Sequence, residues 1–144
     1  MLSFSSISEV KKYMAKRETE FVVFYLSDID GRLRNVTLPA DGLTESAFDV
    51  GIGFDASNFG FADVEKSDMI LRPDLSFAFE DPLCEDSRTL YFFCNMLEVE
   101  SHASFQQDLR HIIRKAVAAL EKEGLADEAR AGTELEFNVL DELY

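Results

Sequence analysis

The sequence predicts a small α+β fold, and two features of its 144 residues carry that prediction. Apolar residues recur at helical spacing near the N-terminus and again after residue 104, which predicts two amphipathic helices. Two shorter runs, residues 21–26 and 89–97, have the aromatic and β-branched composition of buried strands. With 47% hydrophobic and 12% aromatic residues, the chain can form a hydrophobic core, so intrinsic disorder is excluded.

The charge balance is strongly acidic, with 28 Asp and Glu against 14 Lys and Arg and a formal net charge of −14. Nucleic acids and anionic membranes attract clustered positive charge, so we expect neither as a partner. No apolar run reaches the roughly 20 residues that a membrane-spanning helix needs, and no export signal is visible at the N-terminus. We therefore expect a cytoplasmic protein.

The first elements follow from local signals. A Ser-x-x-Glu capping box predicts a helix beginning at Ser6, and the apolar stripe that follows ends near Arg17. The run over 21–26 is apolar on both faces, which is typical of a strand inside a sheet. Asp30-Gly31 suits a tight hairpin turn, so residues 32–38 are predicted to be the return strand.

The middle of the chain is less regular. A short helix is expected over 43–50. Between residues 51 and 82 the apolar residues show no regular spacing, and the sequence consists of turn-forming residues with scattered aromatics. Two interpretations stay open for this stretch: a long surface connection, or a functional loop. The strand over 89–97 contains Cys94, for which we expect a buried, reduced thiol. Cys84 and Cys94 are too few for a zinc site or a disulfide framework.

A second unit is predicted to begin near Ser101. A capping box at Ser104 and an apolar stripe reaching Leu120 predict a helix, with Gly124 as its C-terminal cap. Residues 134–139 then alternate strictly between polar and apolar, which predicts a strand over 134–140. One helix and one strand cannot enclose a core, so they either dock on the first unit or begin a second domain.

Two regions of the sequence carry carboxylates that could bind a metal ion or take part in a reaction. Glu134 and Glu136 would project in parallel from one face of the predicted strand, about 6.6 Å apart, as oxygen ligands for Mg²⁺ or Mn²⁺. The pattern alone favours the alternative, a strand whose solvent face happens to be acidic. Asp55 lies among small and turn-forming residues and could reach into a site, although an Asx turn is the commoner role for such a residue.

Two motifs in these regions resemble those of one family. GIGFDASN over 51–58, VEKSDM over 64–69 and LRPD over 71–74 resemble the N-terminal signature of glutamine synthetase, which is F-D-G-S-S, a short spacer and then S-D-M-x-L-x-P-D. GTELEF over 132–137 resembles the family's G-P-E-x-E-F. The motifs occur in the family's order, and the resemblance covers nearly the whole chain.

The resemblance implies a β-grasp domain over residues 1–100, followed over 101–144 by the truncated start of the catalytic domain, namely its first helix and strand. It further implies part of a ligase that makes glutamine from glutamate, ammonia and ATP through a γ-glutamyl phosphate. The family's nucleotide site and its glutamate-binding arginines lie downstream of these motifs. We therefore expect the 144-residue chain alone to be inactive.

The resemblance also assigns roles to the candidate residues. Asp55 would be the catalytic aspartate that binds and deprotonates ammonium, reaching the active site of a neighbouring subunit in a ring-shaped homo-oligomer. Glu134 and Glu136 would bind Mg²⁺ or Mn²⁺, and ATP would be the co-substrate. Two alternatives remain: a ligase of the same family that joins glutamate to another amine, and a non-catalytic β-grasp module that binds a partner or serves as a scaffold.

Overall fold

The computed structural model describes residues 1–61, 67–82 and 88–140. Cys84 and the motif residues 64–66 lie outside the described residues. The predictions made for them therefore stay predictions.

The chain divides into two compact units, Met1–Ile113 and Arg114–Tyr144. Each unit is described here by itself. The predicted domain division after residue 100 stays a prediction of the sequence.

The helix and hairpin predicted near the N-terminus are confirmed. Helix α1 spans Ile7–Arg17, and the Ser6 hydroxyl accepts the N–H of Glu9 at 3.3 Å, as a capping box requires. Strands β1 (Phe21–Ser27) and β2 (Leu33–Pro39) then pair in an antiparallel hairpin. Because Pro has no N–H to donate, β2 ends where the sequence places it.

The stretch predicted to be irregular is the largest correction to the fold. After the short helix α2 (Ser46–Asp49), the chain forms strand β3 (Ile52–Asp55), a single 3₁₀ turn (Ala56–Phe59) and the long strand β4 (Asp68–Phe79). The alternation that would identify β4 is broken because its register shifts between Pro73 and Ala78. The described residues of this stretch that form β3 and β4 are therefore part of the sheet and not of a long surface connection.

Strand β5 (Thr89–Glu98) lies at the centre of a five-stranded sheet of order β2-β1-β5-β4-β3. Strands β1 and β5 are parallel, and the other neighbouring pairs are antiparallel. The prediction that β1 lies inside the sheet is confirmed, since it pairs with β2 on one side and β5 on the other. Together with the helices, this mixed sheet confirms the predicted α+β class.

The core lies on one face of the sheet. Phe92 of β5 is fully buried and contacts the ring of Phe48 from α2, with the ring centroids 5.8 Å apart. Val10 of α1 is also fully buried in this cluster. Cys94 points into the same core as a free thiol, so the predicted buried, reduced cysteine is confirmed, and burial raises the pKa of that thiol.

Helix α3 (Leu109–Lys122) begins later than predicted. Ser104 does not cap it but forms an isolated bridge with Leu97 of β5. The residue before the helix is Asp108, whose carboxylate accepts the N–H of Arg110 at 3.0 Å and that of Met96 at 3.2 Å. A cap that also binds β5 is the stronger start signal, which explains why the helix begins four residues later than predicted. No helix among the described residues is long and apolar enough to span a membrane.

In the second unit, the predicted cap of α3 is confirmed, but the predicted strand is wrong. Gly124 adopts a φ of 65° just after the helix, and its N–H bonds to the carbonyl of Glu121. Residues 131–140 have no regular secondary structure, and Leu135 and Phe137 are more than 80% exposed. A single strand forms only with a neighbour to share its hydrogen bonds, and the described residues provide none here.

The hairpin between β1 and β2 contains a buried acid that predicts a pH dependence of stability. Asp28 is 2% exposed and accepts the N–H of Asp30, the N–H of Arg32 and Nε–H of Arg34, the last at 2.7 Å. These bonds, that from Arg34 above all, hold the pKa of Asp28 below its ordinary value. The ionised carboxylate therefore stabilises the fold above the unfolded-state pKa of about 3.9, and this contribution is lost as the pH falls through the lower folded-state pKa.

We expect Asp28→Asn to lower the free energy of unfolding at pH 7 and to reduce the loss of stability on acidification. Urea unfolding between pH 7 and pH 3 measures both effects. Asp30→Asn, an exposed acid in the same turn, is the matched control and should leave the stability at pH 7 unchanged. Equal pH profiles for the wild type and Asp28→Asn would contradict the assignment.

Candidate functional site

Asp55 is the last residue of β3 and lies directly opposite Asp68, the first residue of β4. Its Oδ1 accepts the backbone N–H of Ser57 at 2.9 Å and the Ser57 hydroxyl at 2.7 Å. The Asx turn that the sequence suggested for Asp55 is therefore present and caps the 3₁₀ turn. The residue is nevertheless exposed, so a ligand has access to it.

The surroundings of Asp55 favour its ionised form. Hydrogen bonds from the Ser57 hydroxyl, the Ser57 N–H and the Ser67 side chain lower the pKa of Asp55, in that order of size. Partial removal of the carboxylate from water acts in the opposite direction and is the smallest of these contributions. The net result is a lowered pKa, so Asp55 offers a fixed negative charge at neutral pH.

Gly51 allows β3 to lie close to β4 at this place. Its φ is +110°, in the region that side-chain-bearing residues rarely adopt. A Cβ on Gly51 would lie 2.5 Å from the backbone oxygen of Leu71 and 2.5 Å from a methyl carbon of Ile70. The strand pairing that places Asp55 opposite Asp68 therefore starts next to Gly51, a position that only glycine can occupy.

Glu134 and Glu136 lie in the second unit, in the exposed irregular segment 131–140. Carboxylate oxygens are the donors that Mg²⁺ and Mn²⁺ prefer, so the residue types fit the predicted metal. Among the described residues, however, no group of three or more His, Cys, Asp and Glu side chains could hold a metal ion. The two glutamates are therefore a partial ligand set, and most coordination positions would have to come from other groups.

Two residues that the sequence did not single out, Asp108 and Arg110, connect the sheet to the start of α3. Arg110 donates from Nη2 to Asp74 of β4 at 2.9 Å, and its guanidinium lies 5.7 Å from the ring centroid of Phe93. Asp108 provides the cap described above. The local sequence carries no signal for the pairing of Asp74 with Arg110, because it forms only once β4 and β5 are paired.

The described surface also has a groove of about 450 Å³ between α1 and the segment that follows β2. Lys11, Glu18 and Phe48 are among its lining residues, and none of the candidate residues is. The candidate site is therefore not this concave region but the exposed end of the β3–β4 pair, where Asp55 lies.

The chain is similar in sequence to several known proteins. The sequence model described as the glutamine synthetase β-grasp domain matches residues 18–99. The chain is 38% identical over 142 residues to a glutamine synthetase of Helicobacter pylori strain J99, a match that covers 98% of this chain and 29% of that protein. It is also 34% identical over 137 residues to a 3-hydroxylaminophenol mutase of Cupriavidus pinatubonensis, covering 94% of this chain and 29% of that protein.

Solved structures show the same fold. A cryo-EM structure of Plasmodium falciparum glutamine synthetase aligns with a TM-score of 0.74 at 24% identity, covering 85% of this chain and 24% of that one. A structure described as apo GmaS aligns with a TM-score of 0.65 at 18% identity, covering 76% of this chain and 25% of that one. The β-grasp fold predicted for the first part of the chain is thereby confirmed, and the chain spans less than a third of the length of these relatives.

Proposed function

The chain belongs to the glutamine synthetase family, and on that basis we propose that it forms the N-terminal part of an ATP-dependent ligase that makes glutamine from glutamate and ammonia. The observation that carries the proposal is the 38% identity to the Helicobacter pylori enzyme, which extends over 98% of this chain. The two motifs that resemble the family's signature lie within that match. We propose a cytoplasmic location and a ring-shaped homo-oligomer for the complete enzyme.

The proposed reaction has two steps. The γ-carboxylate of glutamate attacks the terminal phosphorus of ATP, which gives γ-glutamyl phosphate and ADP. Ammonia then attacks the γ-carbonyl carbon, the bond to phosphate breaks, and glutamine and inorganic phosphate are released. A divalent metal, when bound, neutralises charge on the phosphate during transfer.

In this reaction Asp55 would bind ammonium and accept the proton that ammonium loses before the attack. Its exposed position and its lowered pKa support the binding of ammonium, because that step needs an accessible carboxylate that is ionised at neutral pH. Glu134 and Glu136 would each provide a carboxylate to Mg²⁺ or Mn²⁺, with the remaining ligands supplied by other groups. Asp55 would act in the active site of a neighbouring subunit.

The acceptor amine is the least constrained part of the proposal. One of the similar proteins is a 3-hydroxylaminophenol mutase, so chains of this similarity catalyse more than one reaction. The alternative given by the sequence resemblance, a ligase of the same family that joins glutamate to another amine, is the second candidate function. An assay that offers ammonium and a set of alkylamines in parallel separates the two by their kcat/KM values.

Two proteins test the proposal. The first is the 144-residue chain alone, which we expect to show no ATP-dependent formation of glutamine, because it spans 29% of the Helicobacter pylori enzyme. The second is a fusion protein in which this chain replaces the aligned part of that enzyme. We expect the fusion protein to form glutamine from glutamate, ammonium and ATP. Glutamine formation by the chain alone would contradict the expected division of the active site.

A further inference from the structure

The face of the sheet opposite the core carries partly exposed aromatic rings from three neighbouring strands, β1, β5 and β4. The core is built on the other face, where Phe92 and Cys94 of β5 are buried together with residues of α1 and α2. Side chains alternate along a strand, so Tyr91 and Phe93 lie on the face opposite the core. The aromatic patch consists of the rings on that face, namely Tyr25, Phe77, Phe79, Tyr91 and Phe93.

Four of the five rings contact one another across the strands. Phe79 of β4 stacks on Tyr91 of β5 with the ring centroids 5.0 Å apart, and Tyr25 of β1 stacks on both. All five rings are partly exposed, Phe77 by 42%, and none packs against the buried core cluster. Single exposed apolar residues are common on proteins, whereas a contiguous exposed aromatic surface marks a place of interaction.

Two arginines border the aromatic patch, and one of them has no partner. Cζ of Arg110 lies 5.7 Å from the ring centroid of Phe93, and its charge is compensated by Asp74 at 2.9 Å. Arg72 of β4 lies opposite Asn95, which follows Phe93 by two residues and is therefore on the same face. Arg72 is exposed and forms no hydrogen bond or ion pair with the residues that the structure describes.

The unpaired charge of Arg72 determines which kind of partner the aromatic patch accepts. A partner that covers the rings also removes Arg72 from water, and a charge that loses its water without gaining an opposite charge is costly. The partner must therefore place a carboxylate beside Arg72 and an apolar side chain on the rings. A nucleic acid would also bring negative charge, but the chain's net charge of −14 repels such a polyanion. These features together fit a short acidic peptide segment.

We propose that the aromatic patch is a docking surface for an acidic peptide segment of another protein, which lays an aromatic or aliphatic side chain on the rings and pairs a carboxylate with Arg72. Asp55 lies opposite Asp68, which precedes Arg72 on the same face by four residues, about 13 Å along β4. A bound segment therefore occupies the face that carries the candidate site. The proposal concerns binding alone, so it stands whether or not the complete enzyme forms glutamine.

A tryptophan-containing peptide tests the proposal, because the chain itself has no tryptophan. The probe is Gly-Glu-Trp-Leu-Glu-Gly with blocked ends, and the fluorescence anisotropy of its tryptophan reports binding as the 144-residue chain is added at low salt. The charge control is the same peptide with lysine in place of both glutamates. We expect saturable binding of the acidic peptide and about tenfold weaker binding of the basic one. Since the net charge of the chain favours the basic peptide, this preference has to come from the patch.

Two variants locate the binding. Arg72→Gln removes the unpaired charge and should weaken binding of the acidic peptide about threefold. Phe77→Ala removes the most exposed ring of the patch and should weaken it at least as much. Both side chains are exposed, so the fold should be retained. Arg32→Gln, which replaces an exposed arginine in the turn between β1 and β2, is the matched control and should leave binding unchanged.

Three results would overturn the proposal. The first is the absence of saturable binding or tighter binding of the basic peptide, and the second is an equal affinity of the wild type and Arg72→Gln for the acidic peptide. The third comes from sedimentation of the chain without peptide. A dimer that dissociates in Phe77→Ala would assign the aromatic patch to a second copy of this chain, whereas we expect a monomer in both proteins.

Discussion

Replacement of Asp55 by asparagine in the fusion protein is expected to lower kcat for glutamine formation by about 10²-fold or more. Asparagine keeps the shape of the side chain and an oxygen that can accept the bonds from Ser57. It removes the negative charge that would bind ammonium and the basic oxygen that would accept its proton. Because the exchange is nearly isosteric, the sheet should keep its stability while the reaction slows.

Steady-state kinetics with varied ammonium concentration measures this effect. Asp49→Asn is the control, because Asp49 is an exposed acid at the end of α2 and its replacement changes the net charge by the same amount. We expect the control to behave as the unsubstituted fusion protein. An Asp55→Asn fusion protein with unchanged kcat and KM for ammonium would remove Asp55 from the proposed mechanism.

The largest expected effect on stability is that of Gly51→Ala. Alanine at a φ of +110° is strained by about 1–3 kcal/mol. Its Cβ would also lie 2.5 Å from the Leu71 carbonyl oxygen, and because that atom belongs to the backbone of β4, the strands would have to separate. We expect the free energy of unfolding to fall by about 3 kcal/mol, measured by urea unfolding of the 144-residue chain.

Gly53 provides a matched control on the same strand. A Cβ on Gly53 would meet no atom within 4 Å, and its φ lies outside the positive range. We expect Gly53→Ala to change the stability by no more than about 1 kcal/mol in either direction. Equal stabilities for the two alanine variants would show that the close contact of β3 with β4 at Gly51 is not needed for the fold.

The elements that the sequence predicts well are those with an uninterrupted period. Helix α1 has a regular apolar stripe, β1 and β5 are dense apolar runs, and β2 follows a turn signal and ends near a proline, so local sequence is sufficient to locate them. Strand β4 is different, because it contains Pro73 and an irregular register before Ala78. Its place in the sheet is determined by pairing with β3 and β5, which no local pattern reveals.

The second unit shows the opposite error. Residues 134–140 have the alternating pattern that is typical of a strand, yet they form no strand. Alternation specifies a strand only where a neighbouring strand completes the hydrogen bonds. The late start of α3 has a related cause. Its cap, Asp108, is selected by its bond to the N–H of Met96, a residue of β5, and this contact exists only in the folded sheet.

The candidate site was predictable only in part. The family motifs identified Asp55, and turn chemistry indicated its bond to Ser57. Nothing local predicted the contribution of Ser67, because it depends on the antiparallel pairing of β3 and β4. The roles of Glu134 and Glu136 stay predictions, since the described residues do not bring further ligands to them.

The central claim is that this chain provides the N-terminal part of a glutamine-forming ligase, including an acid that acts in catalysis. The most direct test is the rate of ATP-dependent glutamine formation by the fusion protein, measured beside the same protein carrying Asp55→Asn. We predict activity in the first and a loss of about 10²-fold or more in the second. A fusion protein that folds and assembles as the Helicobacter pylori enzyme does, but forms no glutamine, would contradict the claim.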